Sequence, residues 1–204
     1  KGGVFMDNKY VKIHTTGCEA PLKVTPGHFA TNHAHINYYI DVTMQKTRLS
    51  EARAVALELV SSYTHTTIVD TILCLDGTEV IGACMASELT RDGYVNMNAH
   101  QTIYVVTPEH TTGSQLLFRE NTSPMIAGKH VLILAASVTT GYTAQAAVEA
   151  INYYGGQVVG IGAIKVNEKW FKDENHDKKW WTVWKEYMDN IKYTGDNIPF
   201  DHLK

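Results

Sequence analysis

The run His130-Val131-Leu132-Ile133-Leu134-Ala135-Ala136-Ser137-Val138-Thr139-Thr140-Gly141-Tyr142-Thr143, continued by Ala144 to Tyr154, decides the fold. Four consecutive aliphatic residues, Val131 to Leu134, predict a strand buried on both faces, as in a parallel sheet. From Ala144 the period changes. Apolar residues fall at Ala144, Ala147, Val148, Ile151 and Tyr154, the one-sided spacing of a helix packed on a sheet. Between strand and helix, Ala135 to Val138 and then Thr139 to Thr143 read as a loop rich in hydroxyls, with Thr143 the expected N-cap. Such a loop can aim backbone N–H groups, side-chain hydroxyls and the positive end of a helix dipole at one point, which suits a phosphate. The plainer alternative is an ordinary capped turn, although two threonines before Gly141 are more hydroxyls than a cap needs.

Working outward, the same grammar recurs. Asp70 to Leu75 reads as a second buried strand, closed by the turn Asp76-Gly77-Thr78-Glu79 and followed by a helix from Val80 to Leu89. That turn could also present backbone N–H groups to an anion, though its two acids make it less welcoming than a Gly/Ser/Lys loop. Ile103 to Val106 and Gln157 to Ile164 supply two more strands. Strands alternating with helices imply an α/β fold, a parallel sheet flanked by helices, with ligands at the carboxyl ends of the strands. Both Asp76–Glu79 and Ser137–Thr143 fall there.

Upstream, Ser50 is the expected cap of a helix whose apolar face is Ala52, Val55, Ala56, Leu59, Val60 and Tyr63. Lys1 to Pro26 reads as an extension over the main sheet, with Tyr10-Val11-Lys12-Ile13 an edge strand. Thr107 to Ala127 reads as a long polar connection, functional or mobile. Asp177 to Ile191 places Trp180, Trp184, Tyr187, Met188 and Ile191 on one helical face, for core or dimer contact rather than stacking on a base. The organisation expected is one domain over 1–204, with a hood segment at 1–45, core sheet at 46–168 and a helical tail at 169–204.

The segment Val131 to Thr143 resembles the ribose-phosphate signature of type I phosphoribosyltransferases: a hydrophobic strand, two acids, two variable residues, then Thr-Thr-Gly-x-Thr. Gly27-His28-Phe29, a polar turn and Tyr38-Tyr39-Ile40-Asp41 similarly resemble the N-terminal strand pair of the orotate enzymes. The resemblance spans Gly27 to about Asn167 and implies that fold, with a small hood. It implies that Ser137, Thr139, Thr140, Gly141, Tyr142 and Thr143 hold the 5′-phosphate of 5-phosphoribosyl-1-pyrophosphate (PRPP) or of a nucleotide. It further implies that Asp76, Gly77, Thr78 and Glu79 form the pyrophosphate loop. Tyr38, Tyr39 and Lys165 are the base-pocket candidates, with sheet packing the expected role of at least one of the tyrosines, because successive residues face opposite sides. Homodimerisation is expected on the same ground, and magnesium would accompany PRPP.

Three departures accompany it. The acids that grip the ribose are Ala135 and Ala136 here. The cationic closing loop of the orotate enzymes is replaced by Thr107-Pro108-Glu109-His110-Thr111-Thr112-Gly113, with no arginine or lysine until Arg119. The family's Asp-Arg pair after the fourth strand is Val166-Asn167. Each lost charge-assisted hydrogen bond to the ribose is worth about 1.5–3 kcal/mol, and the lost loop cations about two or three powers of ten in rate. The expectation is an orotate phosphoribosyltransferase-like protein that binds a phosphoribosyl ligand, with weak or absent transferase activity. The alternatives are an active phosphoribosyltransferase in which His110, Arg119 or Lys165 fill the vacant roles, and an enzyme acting on another phosphorylated substrate.

Composition narrows the rest. With 204 residues, 44% of them hydrophobic, the chain can bury a sizeable core. A net charge of −3 and a pI near 6.4 give no electrostatic footprint for nucleic acid. No stretch has the length of a membrane span or the pattern of a signal peptide. Cys18, Cys74 and Cys84 lack metal-ligand spacing and read as buried thiols of a cytoplasmic protein. His28, His33 and His35 invite a metal, but only Asp41 lies near to complete a site, so no metal is expected there and hydrogen bonding in a turn is the preferred reading.

Overall fold

The computed structural model describes residues 10–15, 18–30, 35–93, 96–110, 115–138 and 141–166. Three strands come first: β1 (Val11–Thr15), β2 (Cys18–Ala30) and β3 (His35–Asp41) form an antiparallel sheet in the order β1-β2-β3. The edge strand expected at residues 10–13 is β1. The length of β2 is not evident from sequence, because Pro21 and Pro26 argue against a strand. The ladder accommodates Pro26 with a register break between Pro26 and Phe29, as a bulge does. Ala20 of β2 is buried in the main core, and Gln45 Nε2 donates to the Pro21 carbonyl, so this small sheet is fastened to the helical segment after it.

Helices α1 (Thr43–Thr47) and α2 (Leu49–Val60) lead into β4 (Thr71–Cys74), α3 (Glu79–Leu89) and β5 (Tyr104–Val106). The buried face of α2 is Ala52, Val55, Ala56, Leu59 and Val60, as the periodicity predicts. Its N-cap, however, is Arg48 rather than Ser50, which lies inside the first turn. Glu88 of α3, 9% exposed, accepts from Arg53 at 3.1 Å and Arg91 at 3.0 Å, tying α2 to α3.

The connection before the central strand is not structureless. It contains a hairpin of β6 (Glu109–His110) and β7 (Leu116–Leu117) and a 3₁₀ turn over Ser123–Met125. Leu116 and Phe118 are buried, and the Phe118 ring meets Tyr154 edge-on at 5.1 Å. Apolar residues spaced too sparsely to register as a strand pattern anchor this segment.

The main sheet is completed by β8 (His130–Val138), α4 (Tyr142–Tyr153) and β9 (Gln157–Val166). Its order is β5-β4-β8-β9, with every pair parallel. Val131 to Ala136 of β8 are each at most 3% exposed, the double burial that four aliphatics in a row predict. Ala135 to Val138 belong to β8, not to the loop: Ala135 pairs with Ala163, Ser137 with Lys165 and Val138 with Val166. With β5 on one side of β4 and β8–β9 on the other, right-handed crossovers put α3 and α4 on opposite faces. The strand order therefore reverses between β4 and β8, and a ligand crevice is expected outside their carboxyl ends. At the other end of these strands Asp70 holds His130 through its backbone N–H and Nδ1, both at 2.8 Å.

Candidate functional site

The first wall of the crevice is the turn after β4. Asp76 and Gly77 both take left-handed backbone, φ 56° and 77°, and Thr78 N–H closes the turn on the Leu75 carbonyl at 3.2 Å. Aspartate and glycine tolerate this region best, which is why Asp-Gly turns so tightly. Thr78 is the N-cap of α3 but makes no capping bond. Its side chain is fully buried and turned inward, where the hydroxyl donates to the carbonyls of Leu75 at 2.8 Å and Leu134 at 3.1 Å. The orphan N–H groups of the first turn of α3 are thus left without a side-chain cap, facing the end of the helix where an anion is favoured.

The second wall is the loop after β8. Thr139 and Thr140 lie outside the described residues. Gly141 is buried and left-handed at φ 81°, and it, not Thr143, is the N-cap of α4. A threonine cannot stand comfortably at that φ, so the helix opens earlier than a threonine cap would dictate. Thr143 is exposed within the first turn, and Tyr142 is 70% exposed. Its N-cap, a glycine, offers no capping side chain. The two walls are stitched together by Leu75 N–H on the Leu134 carbonyl at 2.8 Å and by the Thr78 hydroxyl on the same oxygen.

Between the walls, Ala135 and Ala136 are 2% and 3% exposed. They are paired strand residues inside the core, whereas Ser137, next along, is exposed. These two positions of β8 are therefore apolar, with no carboxylate where the ribose-gripping pair is expected by resemblance.

Cations are few. Arg119 is engaged with Glu109 across the β6–β7 hairpin, a contact that holds the Glu109 carboxyl below its usual range. The backbone of Lys165 lies beside Ser137. Lys46 of α1, which sequence reasoning missed, donates from Nζ to the Asp76 carbonyl at 2.8 Å. No local signal could have found it, because the contact spans 30 residues. Of the expected base-pocket residues, Tyr39 belongs to the small sheet, half-exposed, with its ring 5.8 Å from that of Phe29. A groove of about 600 Å³ lined by Leu116, Leu117, Ala150 and Tyr153 lies between β7 and α4 and includes none of the candidate residues.

The thiols differ from the uniform expectation. Burial pushes Cys74 up to about 12, and Cys84, only half-buried, is raised as well, chiefly by burial. The tail at 167–204, with its tryptophans, Asn167 and Lys169, lies outside the described residues, as do His33 and Thr111 to Gly113. No described helix is long and apolar enough to cross a membrane. Among the described residues no three His, Cys, Asp or Glu side chains gather as metal ligands.

No protein-family model matches this chain, and no curated protein matches it in sequence. Solved structures do match. Mycobacterium tuberculosis orotate phosphoribosyltransferase is 20% identical with a TM-score of 0.50, over 72% of this chain and 79% of that one. Saccharomyces cerevisiae adenine phosphoribosyltransferase is 13% identical with a TM-score of 0.51, over 71% and 85%. Leishmania donovani UMP synthase is 17% identical with a TM-score of 0.50, over 81% of this chain and 39% of that larger one. The chain has the type I phosphoribosyltransferase fold.

Proposed function

We propose that this protein binds a phosphoribosyl compound, PRPP or a nucleoside monophosphate, in the crevice between β4 and β8, and that it transfers phosphoribosyl groups weakly or not at all. One observation carries this reading. Two helix N-termini without a capping bond from their own N-cap side chains, those of α3 and α4, open from adjacent strands at the point where the sheet order reverses, while β8 between them carries a pair of buried alanines before its last two residues. The first feature favours phosphate oxygens. The second removes the charge-assisted grip on the ribose that transfer through an oxocarbenium-like state requires.

In this reading Ser137 and residues Thr139 to Thr143 take the 5′-phosphate, and Asp76 to Glu79 face the other end of the ligand. Tyr38, Tyr39 and Lys165 would border the base, with magnesium accompanying PRPP and a second copy of the chain completing the assembly. The active-transferase alternative needs spare cations, and the ion pair of Arg119 with Glu109 takes one of its candidates away.

The test is a titration of the purified protein with PRPP, orotidine and purine monophosphates and inorganic phosphate, with and without magnesium, beside a pyrophosphate-release assay. Binding without turnover, lost in Gly141→Val, is the expected result. Turnover with any base would establish the transferase instead, and an absence of binding to all of these compounds would overturn the reading.

A further inference from the structure

We infer that Lys46 selects for a ligand bearing pyrophosphate over one bearing a single phosphate, an inference that rests on the phosphoribosyl reading. The turn it serves is open. A Cβ added to Gly77 would meet nothing within 4 Å except Lys46 Nζ and Glu79 Oε2, each at 3.9 Å. The ammonium group therefore stands at the mouth of the turn, over the only backbone in it that carries no side chain. One of its three protons is donated to the Asp76 carbonyl at 2.8 Å. The other two have no protein acceptor among the described residues, and no carboxylate there lies within ion-pair distance.

Charge makes this placement consequential. The turn carries Asp76 and Glu79, and Asp41 at the end of β3 is close enough to feel Lys46. Two carboxylates at the mouth of the turn oppose the approach of a phosphate that the helix dipole attracts. Lys46 is the described cation in contact with that turn, so a phosphate near α3 depends on it. The α4 loop has its own glycine and hydroxyls and makes no described contact with Lys46. A nucleoside monophosphate, anchored at the α4 loop, leaves Lys46 unused. A ligand with a phosphate at each end engages both walls.

Lys46 is also placed to be merely a prop for the turn, and the experiment separates the two roles. Wild type, Lys46→Ala, Lys46→Gln and Lys46→Arg are titrated with PRPP, inorganic pyrophosphate and uridine monophosphate, with folding checked by thermal unfolding. Glutamine keeps a donor for the Asp76 carbonyl and removes the charge; arginine keeps the charge. The expected result is a loss of about tenfold or more for PRPP and pyrophosphate in both Lys46→Ala and Lys46→Gln, under about twofold for uridine monophosphate, and near-normal binding in Lys46→Arg. Equal losses for all three ligands, or pyrophosphate affinity restored by glutamine, would reduce Lys46 to a structural prop and overturn the inference. Wild type that binds uridine monophosphate but neither pyrophosphate compound would overturn it while leaving the phosphoribosyl reading intact. No binding of any phosphate compound would overturn both.

Discussion

The Thr78 hydroxyl lies 3.1 Å from the carbonyl oxygen of Leu134, fastening the turn after one strand to the end of its neighbour. A residue that would ordinarily cap its own helix is thereby spent on tertiary structure, and the helix end is left to solvent or ligand. Thr78→Val keeps the shape and removes the proton. It should cost about 0.5–1.5 kcal/mol, the net worth of a hydrogen bond whose two acceptors each keep a backbone N–H donor. The same change should weaken phosphate binding severalfold. Chemical denaturation and titration with PRPP check both. Unchanged stability would show that the stitch between the walls is dispensable.

Gly82 of α3 packs against β4 so closely that an added Cβ would stand 2.5 Å from Cys74 Sγ and 3.3 Å from Val105 Cγ1. An alanine there gains up to about 1 kcal/mol of helix propensity, but overpacking costs about 1–3 kcal/mol. Gly82→Ala should therefore destabilise the protein, and the double variant Gly82→Ala/Cys74→Ala should recover much of the loss. A double-mutant cycle with no coupling would refute the steric account.

Restoring the acids should fail. Ala135→Asp would bury a carboxylate at a site only 2% exposed, with a penalty of several kcal/mol unless it takes up a proton. The variant should unfold earlier and more so as pH rises, without gaining pyrophosphate release. Recovery of transfer by Ala135→Asp/Ala136→Asp would refute this and show that the strand tolerates both acids.

Asp70 binds the backbone N–H and ring of His130 at the amino ends of β4 and β8. Burial pulls its carboxyl upward, but the hydrogen bonds and charge of His130 outweigh that and hold it below the ordinary value of 3.8. The contribution is therefore complete above that ordinary value and is lost as pH falls through the lowered one. Asp70→Asn should remove roughly 1 kcal/mol, discounted because the group is about a third exposed, and flatten the stability profile on the acid side. Parallel wild-type and variant profiles throughout the acid range would contradict it.

Cys74, at about 12, should resist alkylation until the protein unfolds, since the thiolate is the nucleophile. Half-buried Cys84 should be modified first of the two. Peptide mapping after brief exposure to iodoacetamide gives the order directly.

Much of this architecture is legible in the chain because its main signals are local. Val131 to Leu134 announce a doubly buried strand, and the spacing from Ala144 announces a helix on a sheet. What escapes is decided elsewhere in space. Ala135 and Ala136 have weak strand preference and are extended because Ala163 and its neighbours on β9 pair with that edge. Thr143 looks like a cap, but Gly141 alone tolerates the backbone the junction needs. Pro21 and Pro26 disguise β2. Lys46 reaches the candidate site only through tertiary contact, and no periodicity could point to it.

The pairing of Thr71 with Val131 also has a kinetic side. It joins strands separated by a hairpin, a helix and an edge strand, a long loop to close before any contact repays the lost entropy. Chains dominated by such distant pairings fold slowly, over about milliseconds to seconds. Because each wall of the crevice hangs from one partner of that pair, neither half of the crevice has its neighbour until this step occurs. A fragment ending before β8 would hold the first turn without the strand that orients it, so the crevice forms in a single late event and not by stages.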